Sequence, residues 1–132
     1  MPPEPLAPGN PQEWLNRARS NLSRARTKLP DAYLEDLCFD AQQAAEKAIK
    51  AVLIQKKVVF PYIHDLARLL TILEEAGEKI PSHVRDAEEL TRYAVVTRYP
   101  GIVEPVTEAH HESAVAHAEA VVRWAEGHVA QG

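Results

Sequence analysis

The chain has 132 residues, the length of one domain, and its 15 basic and 19 acidic side chains leave a net charge of −4. This balance excludes a global attraction to nucleic acid or anionic lipid, but it does not exclude a local basic patch. The single cysteine, Cys38, excludes an internal disulfide, and we expect a cytoplasmic protein with a reduced thiol.

Residues 1–10 are rich in proline and lack the basic region and apolar core of a signal peptide. We therefore predict a flexible leader there, followed by one helical domain over residues 11–130. No apolar run approaches the roughly 18 residues that a helix needs to cross a bilayer, so no membrane partner is expected.

The first helix is predicted to begin after Asn10, because a capping residue, Pro11 and Glu13 follow one another there. One face of this helix carries an apolar stripe whose residues are three or four positions apart: Trp14, Ala18, Leu22, Ala25 and Leu29. The basic side chains beside the stripe are interpreted as solvated, with their stems covering apolar surface, and a nucleic-acid-binding face is the alternative.

A long second helix is predicted from Pro30-Asp31, which breaks and recaps the chain, to about Lys57. Apart from one polar stripe it is apolar around most of its girth, which is typical of a central helix packed on more than one side. The polar stripe comprises Asp36, Asp40, Gln43, Lys47 and Lys50.

Three further helices are predicted, without any strand pattern. The third runs from about Asp65 to Ala76 and stops at Gly77, the fourth from Ile80-Pro81-Ser82 to Tyr99, and the fifth from a Thr107 cap to near Val129. Short connections between amphipathic helices indicate an all-α, up-down antiparallel bundle of four to five helices.

The six histidines do not predict a metal site. His110 and His111 point in different directions on a helix, and His110 and His117 are about 10.5 Å apart along the axis. A solvated histidine face is therefore expected. His64 is different, because it begins a helix whose dipole favours a neutral, proton-accepting ring; a structural bond to a backbone carbonyl is the alternative.

The segment from Tyr93 to Gly101 places an arginine and two tyrosines against a Pro-Gly stop. Proline ends the helix, so Arg98 and Tyr99 are predicted to be its last residues. They form either a C-terminal cap that orients the next helix or a recognition or catalytic corner.

Several motifs occur together: an early tryptophan helix, then Phe39-Asp40-Ala41-Gln42-Gln43-Ala44-Ala45-Glu46-Lys47-Ala48, Tyr62-Ile63-His64-Asp65-Leu66 and Arg98-Tyr99-Pro100-Gly101. In this order and at these separations they closely resemble the small prokaryotic HEPN domain, over roughly residues 12–130. The resemblance implies an all-α bundle that usually dimerises and is often encoded beside a minimal nucleotidyltransferase. It also implies a proposed nucleotide-binding role.

Many members of the resembled family are RNases that use an arginine followed, after four to six residues, by a histidine at the dimer interface. Arg98 matches the arginine, but Val103, Glu104 and Pro105 stand where the histidine would be. An arginine can stabilise phosphate charge but does not shuttle protons at neutral pH. We therefore expect no RNA cleavage by the protein beyond that of an Arg98→Ala control.

Our prediction is a dimeric HEPN binding module that is the partner of a minimal nucleotidyltransferase and binds nucleotide or RNA phosphate. An RNase toxin and a purely structural dimer are the alternatives. We assign no catalytic residue, metal or cofactor. The predicted binding groove comprises Glu46, Lys47, Lys50, His64, Arg98 and Tyr99.

Overall fold

The computed structural model describes residues 9–94 and 105–131, and within these ranges it contains helices and no strands. The all-α helical bundle is therefore confirmed. The helices are α1 (Pro11–Arg26), α2 (Leu34–Gln55), α3 (Leu66–Glu75), α4 (Ser82–Arg85), a 3₁₀ helix (Asp86–Tyr93) and α5 (Glu108–Gln131).

Helix α2 is the centre of the bundle, as its apolar girth predicts. It packs most extensively against α1 and α5, and it also contacts α3 and the 3₁₀ helix. Small side chains allow this close packing, because they let neighbouring backbones approach. The alanines of α2 that are fully buried are Ala41, Ala44, Ala45, Ala48 and Ala51.

The start of α1 agrees with the sequence, but its end does not. The Asn10 side chain accepts a hydrogen bond from the Gln12 backbone N–H at 2.8 Å, and Pro11 occupies the first turn. The helix ends at Arg26, because Thr27 adopts an extended conformation. Leu29 is therefore exposed, and its place in the predicted apolar stripe is wrong.

The boundaries of α2 also differ from the prediction by a few residues. The residue before the helix is Tyr33, whose side chain makes no capping bond, so the predicted cap at Asp31 is wrong. The helix ends before Lys57, which has a φ of 57°. The Val58 N–H donates to the Leu53 carbonyl at 2.9 Å, which closes the helix end as in a Schellman motif.

The predicted limits of α3 are confirmed by its caps. The Asp65 side chain accepts from the Arg68 N–H at 3.3 Å. Gly77 has a φ of 99°, a left-handed conformation that favours glycine, and the Glu78 N–H donates to the Leu73 carbonyl at 3.0 Å.

The predicted fourth helix is not one continuous α-helix. A four-residue turn, α4, leads into the 3₁₀ helix, and residues 95–104 lie outside the described part of the chain. The buried residues of this stretch are Ala87, Leu90 and Tyr93, spaced by three. A 3₁₀ helix has three residues per turn, so this spacing turns all three side chains toward the core, which an α-helix does less well.

Candidate functional site

The structure brings three of the predicted site residues into direct contact where α2 meets the start of α3. Glu46 and Lys50 are one turn apart on α2, and the Lys50 ammonium donates to the Glu46 carboxylate at 2.9 Å. His64 lies just before α3, and its Nδ1 is 2.9 and 3.0 Å from the two carboxylate oxygens of Glu46. One carboxylate therefore holds both an ammonium group and an imidazole ring.

Gln42 fixes this arrangement from one turn earlier on α2. Its Nε2 donates to Glu46 Oε1 at 2.9 Å and to the His64 backbone carbonyl at 3.4 Å, and its Oε1 accepts from Gln43 Nε2 at 2.7 Å. The start of α3 is tied down separately, because the Leu66 N–H donates to the Thr91 hydroxyl at 3.1 Å. Both ends of the contact between His64 and Glu46 are thus held by hydrogen bonds.

Lys50 is a buried cation enclosed by aromatic rings. Its side chain is 3% exposed and that of Glu46 is 4% exposed. The Lys50 ammonium lies 5.9 Å from the Trp14 ring centroid, 6.0 Å from Phe60 and 5.2 Å from Tyr62, within the range of cation–π attraction. In the structure the Lys50 ammonium lies beneath the surface and is paired with Glu46. The predicted contact of Lys50 with a ligand phosphate stays a prediction.

The ionisation of Glu46 determines which nitrogen of His64 carries the proton. Burial alone raises the pKa of Glu46, but hydrogen bonds from Gln42, Lys50 and His64 bring it below its ordinary value of 4.5. Glu46 is therefore a carboxylate at neutral pH, and it accepts a hydrogen bond from the protonated Nδ1 of His64. In a neutral ring the lone pair is then on Nε2.

The outer side of this cluster is open to solvent. The His64 side chain is 48% exposed, and none of the described residues forms a hydrogen bond with its Nε2. Tyr62 is 88% exposed, and its ring meets the His64 ring edge to face with the centroids 5.9 Å apart. The exposed surface formed by Tyr62 and His64, called the Tyr62–His64 surface below, combines a stacking ring with a hydrogen-bonding imidazole.

The surroundings of the remaining histidines differ from those of His64. Within the described ranges, no group of three or more His, Cys, Asp or Glu residues could hold a metal ion. His111 corrects the expectation of a solvated histidine face, because it is buried and its Nε2 lies 2.7 Å from the Ala25 carbonyl oxygen. That carbonyl belongs to the last turn of α1, where helix carbonyls lack intrahelical partners.

The helical bundle and its motifs match a known family. The model of the HEPN domain matches residues 11–128, nearly the whole chain. The chain belongs to the HEPN family.

Solved structures agree with this assignment. TT1696 from Thermus thermophilus is 30% identical to this HEPN domain, with a TM-score of 0.78 over 89% of this chain and 97% of that one. ST0689, described as an archaeal HEPN homologue, is 24% identical, with a TM-score of 0.74 over 91% of this chain and 98% of that one. The second similarity concerns the fold alone.

A curated relative carries a functional name. The protein "Putative toxin MJ1304" of Methanocaldococcus jannaschii is 28% identical over 93 residues, which cover 66% of this chain. The match spans 61% of that protein's length.

In this HEPN domain, Lys47 lies apart from the other predicted site residues. Its ammonium donates to the Asn21 side-chain oxygen on α1 at 2.8 Å, and Asn21 in turn donates to Asp40 at 2.9 Å. Burial, followed by the nearby charges of Arg24 and Arg17, lowers the pKa of Lys47. Consecutive helix positions point about 100° apart, so Lys47 faces α1 whereas Glu46 faces His64.

The corner of Arg98 and Tyr99 lies outside the described residues of the HEPN domain, so the predicted groove is placed here only in part. Two features of the site were missed by sequence reasoning. Tyr62 stands two positions before His64, and Gln42 stands one turn before Glu46, both inside motifs that indicate the family. Their spacing from His64 and Glu46 was the signal that could have identified them.

Among the helices that the structure describes, none combines the length and the apolar character that a membrane span requires.

Proposed function

We propose that this HEPN domain is a dimeric, cytoplasmic binding module that is the partner of a separately encoded minimal nucleotidyltransferase and binds nucleotide or RNA. The Tyr62–His64 surface is the proposed contact for the ligand. The observation that carries this proposal is an 88% exposed tyrosine ring placed against an imidazole that a buried carboxylate holds in position.

Each group of this surface suits a different part of a nucleotide. An exposed Tyr62 ring can stack on a base, which contributes about 1–3 kcal/mol per base and depends little on sequence. The neutral His64 ring can accept a hydrogen bond from a ribose 2′-hydroxyl at Nε2, and the protonated ring can donate to a phosphate. Because Glu46 and Lys50 neutralise each other, this buried pair adds no net charge beneath the surface.

Calorimetric titration of the whole chain tests this proposal. ATP, GTP and a short single-stranded RNA are titrated into the wild type and into Tyr62→Ala and His64→Ala. Loss of stacking on one base corresponds to a weakening of about 5- to 150-fold for Tyr62→Ala. Tyr33→Ala is the matched control, because Tyr33 is 75% exposed in the connection between α1 and α2. Absence of heat with all three ligands, or equal losses in both tyrosine variants, contradicts the proposal.

The dimer and the partner are tested separately. Gel filtration with light scattering is expected to give the mass of a dimer, and a solely monomeric species contradicts that part of the proposal. A neighbouring gene for a small nucleotidyltransferase supports the partner, and co-purification of the two proteins tests it directly.

An RNase toxin is the second candidate, and two observations favour it. The relative from Methanocaldococcus jannaschii carries a toxin name, and Glu46 orients His64 as a carboxylate orients a general base. Cleavage of mixed RNA that disappears in His64→Ala would favour this candidate over simple binding. We expect no such cleavage and none that depends on Arg98.

A further inference from the structure

A second cluster of polar side chains lines a cavity that the Tyr62–His64 surface does not include. The cavity measures about 70 Å³ and lies between the 3₁₀ helix and the first half of α5. Among the residues that the structure describes, the apolar lining consists of Leu90, Tyr93 and Ala114, and the polar lining consists of Glu89, Arg92, His110, Ser113 and His117.

His110 lines this cavity, and its ring is fixed by a cap at the start of α5. The Thr107 hydroxyl accepts from the His110 N–H at 3.1 Å, and His110 Nδ1 accepts from the Thr107 N–H at 3.1 Å. This reciprocal cap leaves Nδ1 without a proton, so Nε2 carries it. His110 is in the first turn of α5, where the helix dipole favours a negative ligand.

Arg92 provides the positive charge. Its guanidinium carbon lies 5.1 Å from the centroid of the Tyr93 ring, which positions the side chain. Arg92 is exposed, and it forms no ion pair with any residue of the two described ranges. A guanidinium fork of this kind binds phosphate oxygens in pairs.

The rest of the lining adds donors and one weakly held acid. The Ser113 hydroxyl is exposed and can donate. Nε2 of His117 lies 3.8 Å from the carboxylate of Glu89, too far for a hydrogen bond, and the Glu89 side chain is 75% exposed. Glu89 can therefore turn toward solvent and leave His117 to a ligand.

We propose that this cavity binds a phosphate monoester group, which Arg92, His110, Ser113 and His117 would hold. Among the described lining residues the hydrogen-bond donors outnumber the one carboxylate, that of Glu89, so they suit an anion better than a cation. A cavity of about 70 Å³ has room for a small polyatomic anion such as a phosphoryl group. The proposal does not depend on the Tyr62–His64 surface.

Imidazole NMR of the full chain tests the site one histidine at a time. Inorganic phosphate is added up to about 20 mM at constant ionic strength, which covers a dissociation constant in the millimolar range. The resonances of His110 and His117 are expected to shift and saturate. His128 is the internal control, because it lies near the other end of α5, where its Nε2 is 3.3 Å from a Glu78 oxygen.

Variants show whether the shifts report this cavity. Arg92→Gln is expected to weaken phosphate binding by about tenfold, the usual effect of losing a charged hydrogen bond. Arg123→Gln is the matched control, because Arg123 is an exposed arginine on α5 outside the cavity. Circular dichroism verifies that both variants fold, and His117→Gln repeats the test at a second position.

The source of the phosphate is resolved by comparing inorganic phosphate, AMP and adenosine. Equal binding of phosphate and AMP indicates that the free group suffices, whereas clearly tighter binding of AMP identifies a nucleotide as the source. The proposal is overturned if no histidine shifts, if all histidines shift in parallel, if adenosine binds as well as AMP, or if Arg92→Gln retains wild-type affinity. A negative result for His110 and His117 leaves the Tyr62–His64 surface untouched, because the His64 resonance reports on that surface separately.

Discussion

Replacing Glu46 with glutamine should destabilise the fold strongly, because it removes the charge that compensates a buried ammonium. The side chains of Glu46 and Lys50 are 4% and 3% exposed, and their charged atoms are 2.9 Å apart. Breaking one partner of such a buried pair costs about 3–5 kcal/mol. This is a large part of the roughly 5–15 kcal/mol that stabilises an ordinary domain. The rings around Lys50 offset only part of the loss.

Urea denaturation followed by circular dichroism measures this effect. With a typical slope of about 2 kcal/mol per molar urea, Glu46→Gln is expected to lower the midpoint by about 2 M. Glu119→Gln is the matched control, because Glu119 pairs with Arg26 and Arg123 at longer distances of 3.4 and 3.8 Å and is less buried. Its expected cost is at most about 1 kcal/mol.

A double variant and the pH dependence of stability test the buried pair further. The double variant Glu46→Gln/Lys50→Met should recover much of the lost stability, because it removes both buried charges. Since the pKa of folded Glu46 lies below 4.5, its ionisation stabilises the fold above that pH and ceases to do so as the pH falls through the folded value. Glu46→Gln should therefore lose less stability in acid than the wild type. If Glu46→Gln proves as mild as Glu119→Gln, the buried-pair account is wrong.

Three other predictions concern stability, thiol chemistry and helix caps. Gly77→Ala should destabilise the fold by about 1–2 kcal/mol, because Gly77 has a φ of 99°. Gly127→Ala should stabilise it by about 0.5–1 kcal/mol, because Gly127 lies inside α5 and no atom is within 4 Å of the added Cβ. Equal effects of the two substitutions in thermal melts would contradict this. Burial raises the pKa of the Cys38 thiol to about 11, so about one molecule in a thousand is a thiolate at pH 8. Ellman's reagent should therefore react with Cys38 only after unfolding, and rapid labelling of the native protein would disprove this prediction. Asn10→Ala should cost about 1 kcal/mol by removing the α1 cap, and an unchanged urea midpoint would argue against it.

Much of the fold could be predicted from the sequence because its signals are local. The predicted caps at Asn10 and Thr107 each act on one or two neighbouring backbone groups, and both are found in the structure. The central position of α2 follows from its apolar girth. Two predictions about helices were wrong. The fourth helix was predicted to be continuous, but the three-residue spacing of Ala87, Leu90 and Tyr93 favours a 3₁₀ helix. Leu29 was placed in the apolar stripe of the first helix, but α1 ends before Thr27.

The candidate site was predicted less completely, because its geometry depends on which residues of different helices meet. Glu46, Lys50 and His64 were assigned to one groove, and the structure brings them together. Lys47 was assigned to the same groove as a cation for phosphates, but its ammonium donates to Asn21. The burial of Lys50 could not be read from its polar type. It depends on aromatic side chains of α1 and of the connection before α3, whose approach is a tertiary property.

The most direct test of the proposed function is ultraviolet cross-linking of a short single-stranded RNA to the whole chain, with the cross-linked tryptic peptides identified by mass spectrometry. Cleavage after Lys57 and Arg68 releases residues 58–68, which contain both Tyr62 and His64. We predict that this peptide carries the main cross-link and that the yield falls in Tyr62→Ala but not in Tyr33→Ala. RNA attached only to other peptides, or an undiminished yield in Tyr62→Ala, would contradict binding at the Tyr62–His64 surface.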